Sequence, residues 1–145
     1  MGFLKSNDHI IAIEDCYSWS KTLFSEYLPR FGITTDFVSG TDVNEIRANI
    51  NSNTRNLRKI ASLAQQHNIK TIIDNTWATP LYQNPLHFGI DLVIHSVSKY
   101  LARRSDVVAG VIAGKKTDIN HIFKQEFLNI GYVPDPFMAW LVLRG

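Results

Sequence analysis

Apolar positions along this chain recur with two periods, and the periods alternate. His9 to Glu14 (HIIAIE) is a short apolar run introduced by the turn residues Asn7 and Asp8, which predicts a buried strand. Leu23, Phe24, Tyr27, Leu28 and Phe31 then follow helical spacing. Ser18 or Ser20 is placed to cap that helix, and Pro29 and Gly32 mark its end. Ile33 to Val38 (ITTDFV) is rich in β-formers and closes at Ser39-Gly40. Thr41 or Asp42 caps a short helix through Ile46 and Ile50. A second helical pattern, Leu57, Ile60, Ala61 and Ala64, begins just after the breakers Asn51, Ser52 and Asn53. No strand separates these two helices, and here alone in the first hundred residues the strand-helix rhythm fails.

The rhythm then resumes. Thr71-Ile72-Ile73 ends in Asp74, and the run Asp91 to His95 leads into Ser96-Val97-Ser98-Lys99. Val107 to Ala113 predicts another strand. Lys116 to Ile130 predicts a helix with Ile119, Ile122, Phe123 and Phe127 on one face, and Pro134 to Leu143 predicts a last helix. Strands alternating with helices predict an α/β fold with a mostly parallel sheet and flanking helices. No internal repeat, low-complexity stretch or linker interrupts it, so residues 1–145 read as one domain or part of one.

Composition narrows the function class. With 45% hydrophobic and 19% charged residues the chain is globular and not disordered. A net charge of +2 with scattered lysines and arginines argues against a nucleic-acid partner, which needs a clustered basic face. No apolar stretch is long enough to span a bilayer, and the start MGFLKSNDH lacks the apolar core of a signal peptide. The single cysteine, Cys16, excludes an intrachain disulfide and fits a reducing compartment, so a cytoplasmic protein is expected. The five histidines show no metal-ligand spacing, and no metal site is expected. Dinucleotide, Walker and nucleophile-elbow motifs are absent.

Candidate chemistry concentrates between Thr71 and Tyr100. Two neighbouring strands of a parallel sheet would carry Asp74 and Lys99 to the same carboxyl edge, where ligands of open α/β sheets bind. Lysines are mostly solvated surface groups, but Lys99 follows a buried strand and is flanked by Ser96 and Ser98, which can donate to phosphate oxygens. An aspartate at a strand end commonly organises the next turn, here Asn75-Thr76. Paired with Lys99, Asp74 instead fits a pyridoxal 5'-phosphate (PLP) site: a carboxylate for the ring nitrogen and an amine for a Schiff base. Tyr17, just past the first strand, either stacks on a flat cofactor or is a half-buried turn residue. Arg103 and Arg104 are most simply a solvated pair, within reach of an anionic ligand near Lys99.

At these residues the chain resembles the Cys/Met-metabolism PLP-dependent enzymes, which include cystathionine γ-synthases, cystathionine β- and γ-lyases, methionine γ-lyases and O-acetylhomoserine sulfhydrylases. The family pattern is D-N-T-F/W-A-T-P, then H-S-x-S/T-K-Y, then S-D-V-V-x-G. These stand here as Asp74 to Pro80, His95 to Tyr100 and Ser105 to Gly110, and the last helix, ending Leu143-Arg144-Gly145, is similar to the one that closes the family's large domain. The likeness covers about Phe3 to Gly145. It implies the large domain of an aspartate aminotransferase-like PLP-dependent transferase fold and elimination or replacement at Cβ or Cγ of a sulfur-containing or activated amino acid. By position it implies that Lys99 forms the internal aldimine and later moves the substrate α-proton. Asp74 pairs with the pyridine nitrogen, Ser96 and Ser98 hold the phosphate, and Tyr17 stacks on the ring and accepts a proton. Thr76 lies against the cofactor. The family's sites are built between subunits of homo-oligomers.

The departures are specific too. Gly-His usually precedes the family's S-D segment where Arg103 and Arg104 stand here, so a different backbone beyond the lysine is expected. Between Thr54 and Arg55 the family carries a strand and loop of the E-S-P-x-N-P type with no counterpart here, at the place where the rhythm fails. The family's N-terminal arm, Gly-rich phosphate loop and small C-terminal domain with its carboxylate-binding arginine also have no counterpart. The chain is therefore expected to be an internal fragment, an incomplete PLP-binding large domain with one inner strand deleted. Either it acts as a trans-sulfuration enzyme fragment, or it is a non-catalytic remnant or a piece needing a partner chain.

Overall fold

The computed structural model describes residues 3–39, 57–131 and 133–145, without the side chains of Lys59 and Ile130. The helix expected after Thr41, and the join at Thr54–Arg55 where a strand is expected to be deleted, lie outside the described residues. The chain forms two compact units, Met1–Asn56 and Leu57–Gly145.

In the first unit, β1 (His9–Ile13) and β2 (Thr34–Val38) pair in parallel, with His9 opposite Thr34 and Ile13 opposite Val38. Between them runs α1 (Ser18–Thr22), continued by a wide π-type turn at Leu23–Tyr27 and a tight one at Leu28–Phe31. The capping residue of α1 is Tyr17, with no side-chain cap, so neither Ser18 nor Ser20 does that work. The end matches the sequence reading: Pro29 sits in the last turn, and Gly32 adopts φ 74°, which glycine tolerates without a Cβ penalty. Strand β1 is less buried than its composition suggests. Ala12 is buried on one face, while Ile11 and Ile13 on the other are 36% and 50% exposed. A strand exposes alternate side chains unless both faces are covered, and within this unit only one is.

The second unit holds the order β3-β4-β5. Here α2 (Leu57–Gln66) places Ala61 and Ala64 inward, as its periodicity predicts. Strand β3 (Ile72–Asp74) lies parallel to β4 (Leu92–Ser96), with Asp74 opposite Ile94. Strand β5 (Gly110–Gly114) returns antiparallel on the other side of β4, three residues later than Val107 suggests. The middle strand is buried at Leu92, Val93 and His95, and Val93 packs against Ala61 of α2. Between β3 and β4 come α3 (Thr79–Tyr82) and a tight turn at Pro85–Phe88. After β5, α4 (Lys116–Ile122) continues through a wide turn at Phe123–Phe127 and a last short turn at Leu128–Ile130. The final helix, α5 (Pro136–Arg144), has Pro136 in its first turn, and its capping Asp135 accepts from the Phe137 and Met138 amides at 2.8 and 3.0 Å.

Two small cores hold this unit. Ala61, Ile90 and Val93 pack with Ile73, joining α2 to β3 and β4. Val97, Ala102, Val107 and Leu141 pack with Leu101, Ala109, Met138 and Val142, joining α5 to the segment that follows β4.

At the amino edge of β3 and β4 a polar cluster sets their register. Asp91 accepts from the Thr71 amide and hydroxyl at 3.0 and 2.8 Å, and its own amide donates to that hydroxyl at 2.9 Å. The Lys70 ammonium lies 3.4 Å from Asp91 and 3.0 Å from Asp118 on α4. Burial pushes the Asp91 carboxyl up, but the Thr71 donors and then Lys70 outweigh it and leave it below its usual range. The hydrogen bond to Asp118 holds the Lys70 ammonium above its usual value against partial desolvation.

A depressed carboxyl favours the fold above its unfolded value, and that contribution is lost as pH falls below about 4. A raised ammonium favours the fold below its unfolded value, and its share is lost as pH rises beyond about 10.5. Urea midpoints across that range should therefore fall at both ends. Asp91→Asn should flatten the acid limb. An unchanged acid limb in this variant would show that the cluster does not contribute.

Candidate cofactor site

Strand pairing places the candidate residues before any side chain acts. Strands β3 and β4 are adjacent and parallel, so both carboxyl ends open at one edge of the sheet. Asp74 is the last residue of β3, and its side chain is exposed. The ladder continues one step past it, with the Asn75 amide donating to the Ile94 carbonyl at 3.0 Å. Ser96 ends β4, and a wide π-type turn, Val97–Leu101, carries Ser98 and Lys99. Such turns are rare and often mark functional sites.

The lysine turn is anchored from below and to one side. Val97 is buried in the core under α5, and the Ala102 amide closes the turn on the Val97 carbonyl at 2.8 Å. The Val97 amide donates to the Ala109 carbonyl at 2.9 Å. The Ser98 hydroxyl accepts from the Ala109 amide at 2.9 Å and lies 3.3 Å from the Ala109 carbonyl, tying the turn to the approach of β5. Lys99 itself is exposed, and its ammonium has no protein partner among the described residues. The Ser96 hydroxyl is likewise unpartnered there.

Thr76 joins the two strand ends. Its amide and hydroxyl donate to Asp74 Oδ1 at 2.9 and 2.5 Å, and its hydroxyl accepts from the Ser96 amide at 2.8 Å. Asp74 Oδ2 has no partner among the described residues. Trp77 and Tyr100 stand at the rim with ring centroids 5.8 Å apart and tilted by 48°.

Asn75, which sequence reasoning passed over as turn material, proves to be the organiser of the loop. It is buried, its amide donates to the Gln83 carbonyl at 3.0 Å and the Thr79 carbonyl at 3.3 Å, and its oxygen accepts from Gln83 Nε2 at 2.7 Å. These bonds restrain Thr79, which adopts φ 58°, a strained conformation for a β-branched residue. That a buried Asn75 finds three partner atoms here is a tertiary feature that no local pattern encodes.

Lys99, Asp74, Thr76, Ser96 and Ser98 thus meet at one edge of the second unit. Tyr17 belongs to the first unit, at the start of α1 and 67% exposed, so of its two sequence readings the half-buried turn residue does not hold. Cys16, beside it, is partly buried. His95, on β4 ahead of the lysine turn, is buried, and its Nδ1 has no partner among the described residues. Beyond the turn, Arg103 adopts φ 58°, the left-handed region that favours the glycine of the family pattern.

Comparison with known proteins decides the lineage. The model of the Cys/Met metabolism PLP-dependent enzymes matches residues 1–145. The chain belongs to this family. It is 38% identical to the protein named "Probable cystathionine gamma-synthase" of Herpetosiphon aurantiacus, covering all of this chain and 50% of that one. That match runs over 162 positions for a chain of 145 residues, so the relative carries residues within the aligned span that have no counterpart here. Identity to the cystathionine beta-lyase of Bacillus subtilis is 34%, over 98% of this chain and 40% of the relative. The crystal structure of cystathionine gamma-lyase from Lactobacillus plantarum complexed with L-serine superposes with a TM-score of 0.87 at 33% identity, over 97% of this chain and 41% of that one. The chain spans about half the length of the relatives it matches, or less. The expected α/β fold of this family is the fold observed, with β1-β2 and β3-β4 parallel and β4-β5 antiparallel. No described helix is long and apolar enough to cross a membrane, and no described cluster of His, Cys, Asp or Glu could hold a metal ion.

Two stability changes follow from this geometry. Asn75→Ala strips three polar groups of their buried partner and should cost about 2 kcal/mol in urea unfolding, within the usual range for such losses; a loss below a few tenths would remove Asn75 from its organising role. Arg103→Gly relieves the left-handed backbone and should add about 0.5–1 kcal/mol after the entropy of the glycine is counted. A decrease in stability would mean that the arginine side chain contributes more than the strain costs.

Proposed function

We propose that this chain carries the cofactor site of a PLP-dependent trans-sulfuration enzyme of the cystathionine synthase/lyase type. The observation that carries the reading is the meeting of an unpartnered Asp74 Oδ2 and an exposed, unpartnered Lys99 at the ends of adjacent parallel strands. These groups fit PLP: a carboxylate oxygen to accept from the ring N–H, an amine for the aldehyde and the free Ser96 hydroxyl for the phosphate, with Ser98 beside it. The PLP ring, when bound, stores the electron pair of a substrate carbanion. Lys99 Nζ takes the α-proton of a sulfur-containing or activated amino acid and returns it, as elimination or replacement at Cβ or Cγ proceeds. Asp74 keeps the ring nitrogen protonated and Ser96 holds the phosphate, which Ser98 joins when its hydroxyl proton turns away from the Ala109 carbonyl. The resemblance gives the chain a homo-oligomeric working form, and its composition gives it a cytoplasmic setting.

A second reading is that the chain does not turn over alone and works only when joined to a partner chain. It is favoured by Trp77, on the loop after Asp74, and by Leu81 and Tyr82 of α3, which are 86%, 88% and 88% exposed. Apolar side chains so close to a site usually have something covering them.

Mixing the chain with PLP should give a visible absorption band, and borohydride followed by peptide mapping should label Lys99. Lys99→Ala should lose both. Label spread over surface lysines, or none, would sink the cofactor reading. Label at Lys99 without lyase activity on cystathionine would favour the partner reading.

A further inference from the structure

The geometry points to Thr76 as a positioning residue that acts through Asp74, and not as a hydrogen-bond donor to the cofactor. This inference rests on the PLP reading above. A threonine hydroxyl has one proton and two acceptor positions. Here the proton goes to Asp74 Oδ1 at 2.5 Å, a length typical of a hydroxyl donating to a carboxylate. One acceptor position takes the Ser96 amide at 2.8 Å. No proton is left for a cofactor oxygen.

The same bonds decide what Asp74 presents. Oδ1 is held twice, by the Thr76 amide at 2.9 Å and by its hydroxyl, which fixes the rotation of the carboxylate plane. Oδ2 is left as the one oxygen open to a ring N–H. The Ser96 amide lies three residues before Lys99, at the end of the strand that carries the lysine turn. A single hydroxyl therefore sets the carboxylate of β3 against the lysine strand β4, so that the two ends of a flat ligand meet groups held in one frame. Preorganisation of this kind acts by sparing the cost of orienting the group on binding. The Thr76 methyl takes no part in the bonds, so serine should serve and valine should not.

The test compares two ligands by equilibrium dialysis: PLP, and its 1-deaza analogue, in which a C–H replaces the ring nitrogen. Thr76→Val should weaken PLP binding about tenfold or more, the loss expected for one hydrogen bond to a charged group. It should leave the deaza analogue nearly unchanged, Thr76→Ser should restore PLP binding, and Asp74→Ala should show the same selective loss as valine. Equal weakening of both ligands would make the hydroxyl merely structural and overturn the proposal. Greater weakening of the deaza analogue would place Thr76 against another cofactor atom and overturn it as well, as would no change in either.

If the unaltered chain binds neither ligand, the cofactor reading fails by itself, and the latch is read in the protein alone. Amide exchange at Ser96 should then quicken in Thr76→Val and not in Thr76→Ser; an unchanged rate would overturn the latch.

Discussion

The parallel pairing of β3 with β4 is the constraint on which the site depends. It puts Asp74 opposite Ile94, carries the ladder on through the Asn75 amide, and ends with the Thr76 hydroxyl between the Asp74 carboxylate and the Ser96 amide. A shift of one residue would turn every side chain to the other face and separate these groups. The register is protected at both ends. At the amino edge Asp91 binds Thr71 through three hydrogen bonds, and at the carboxyl edge Thr76 bridges the strands. Between them Ile73 and Val93 pack in a core with Ile90 and Ala61.

The lysine turn depends on this frame and adds its own support. Val97 is its apolar foot in the core shared with Leu141 of α5, and Ser98 is its polar tie to Ala109. Lys99 projects from a segment fixed on two sides, while its long side chain stays in solvent. That division suits a covalent cofactor: the backbone is rigid and the amine is free to move. The two strained residues are Thr79, the first of α3, and Arg103, just past the lysine turn. Both stay in place because the surrounding structure outweighs a cost of about 1–3 kcal/mol each.

Much of this was legible in the residues. The apolar runs ending in Asp74 and Ser96 located two strands and the edge they share. The D-N-T-W-A-T-P and H-S-V-S-K-Y segments carry the family resemblance. Helix spacing located α2, α4 and α5 within a few residues. The misses have physical causes. The cap of α1 went to Tyr17 because neither nearby serine reaches a free amide there. Burial of β1 was overestimated because an apolar run cannot reveal whether both faces will be covered. Strand β5 starts late because Ala109 is occupied by the lysine turn.

By itself, the sequence determined which elements form, which family the chain descends from and which side chains could bind PLP, since these depend on local pattern and residue chemistry. The tertiary structure alone decided how those side chains divide the work. One proton on Thr76, one free oxygen on Asp74, and three partners for a buried Asn75 are matters of which groups meet across strands. Local spacing cannot encode that, because a hydroxyl reads the same in the sequence whether its proton is spent on a neighbour or kept for a ligand.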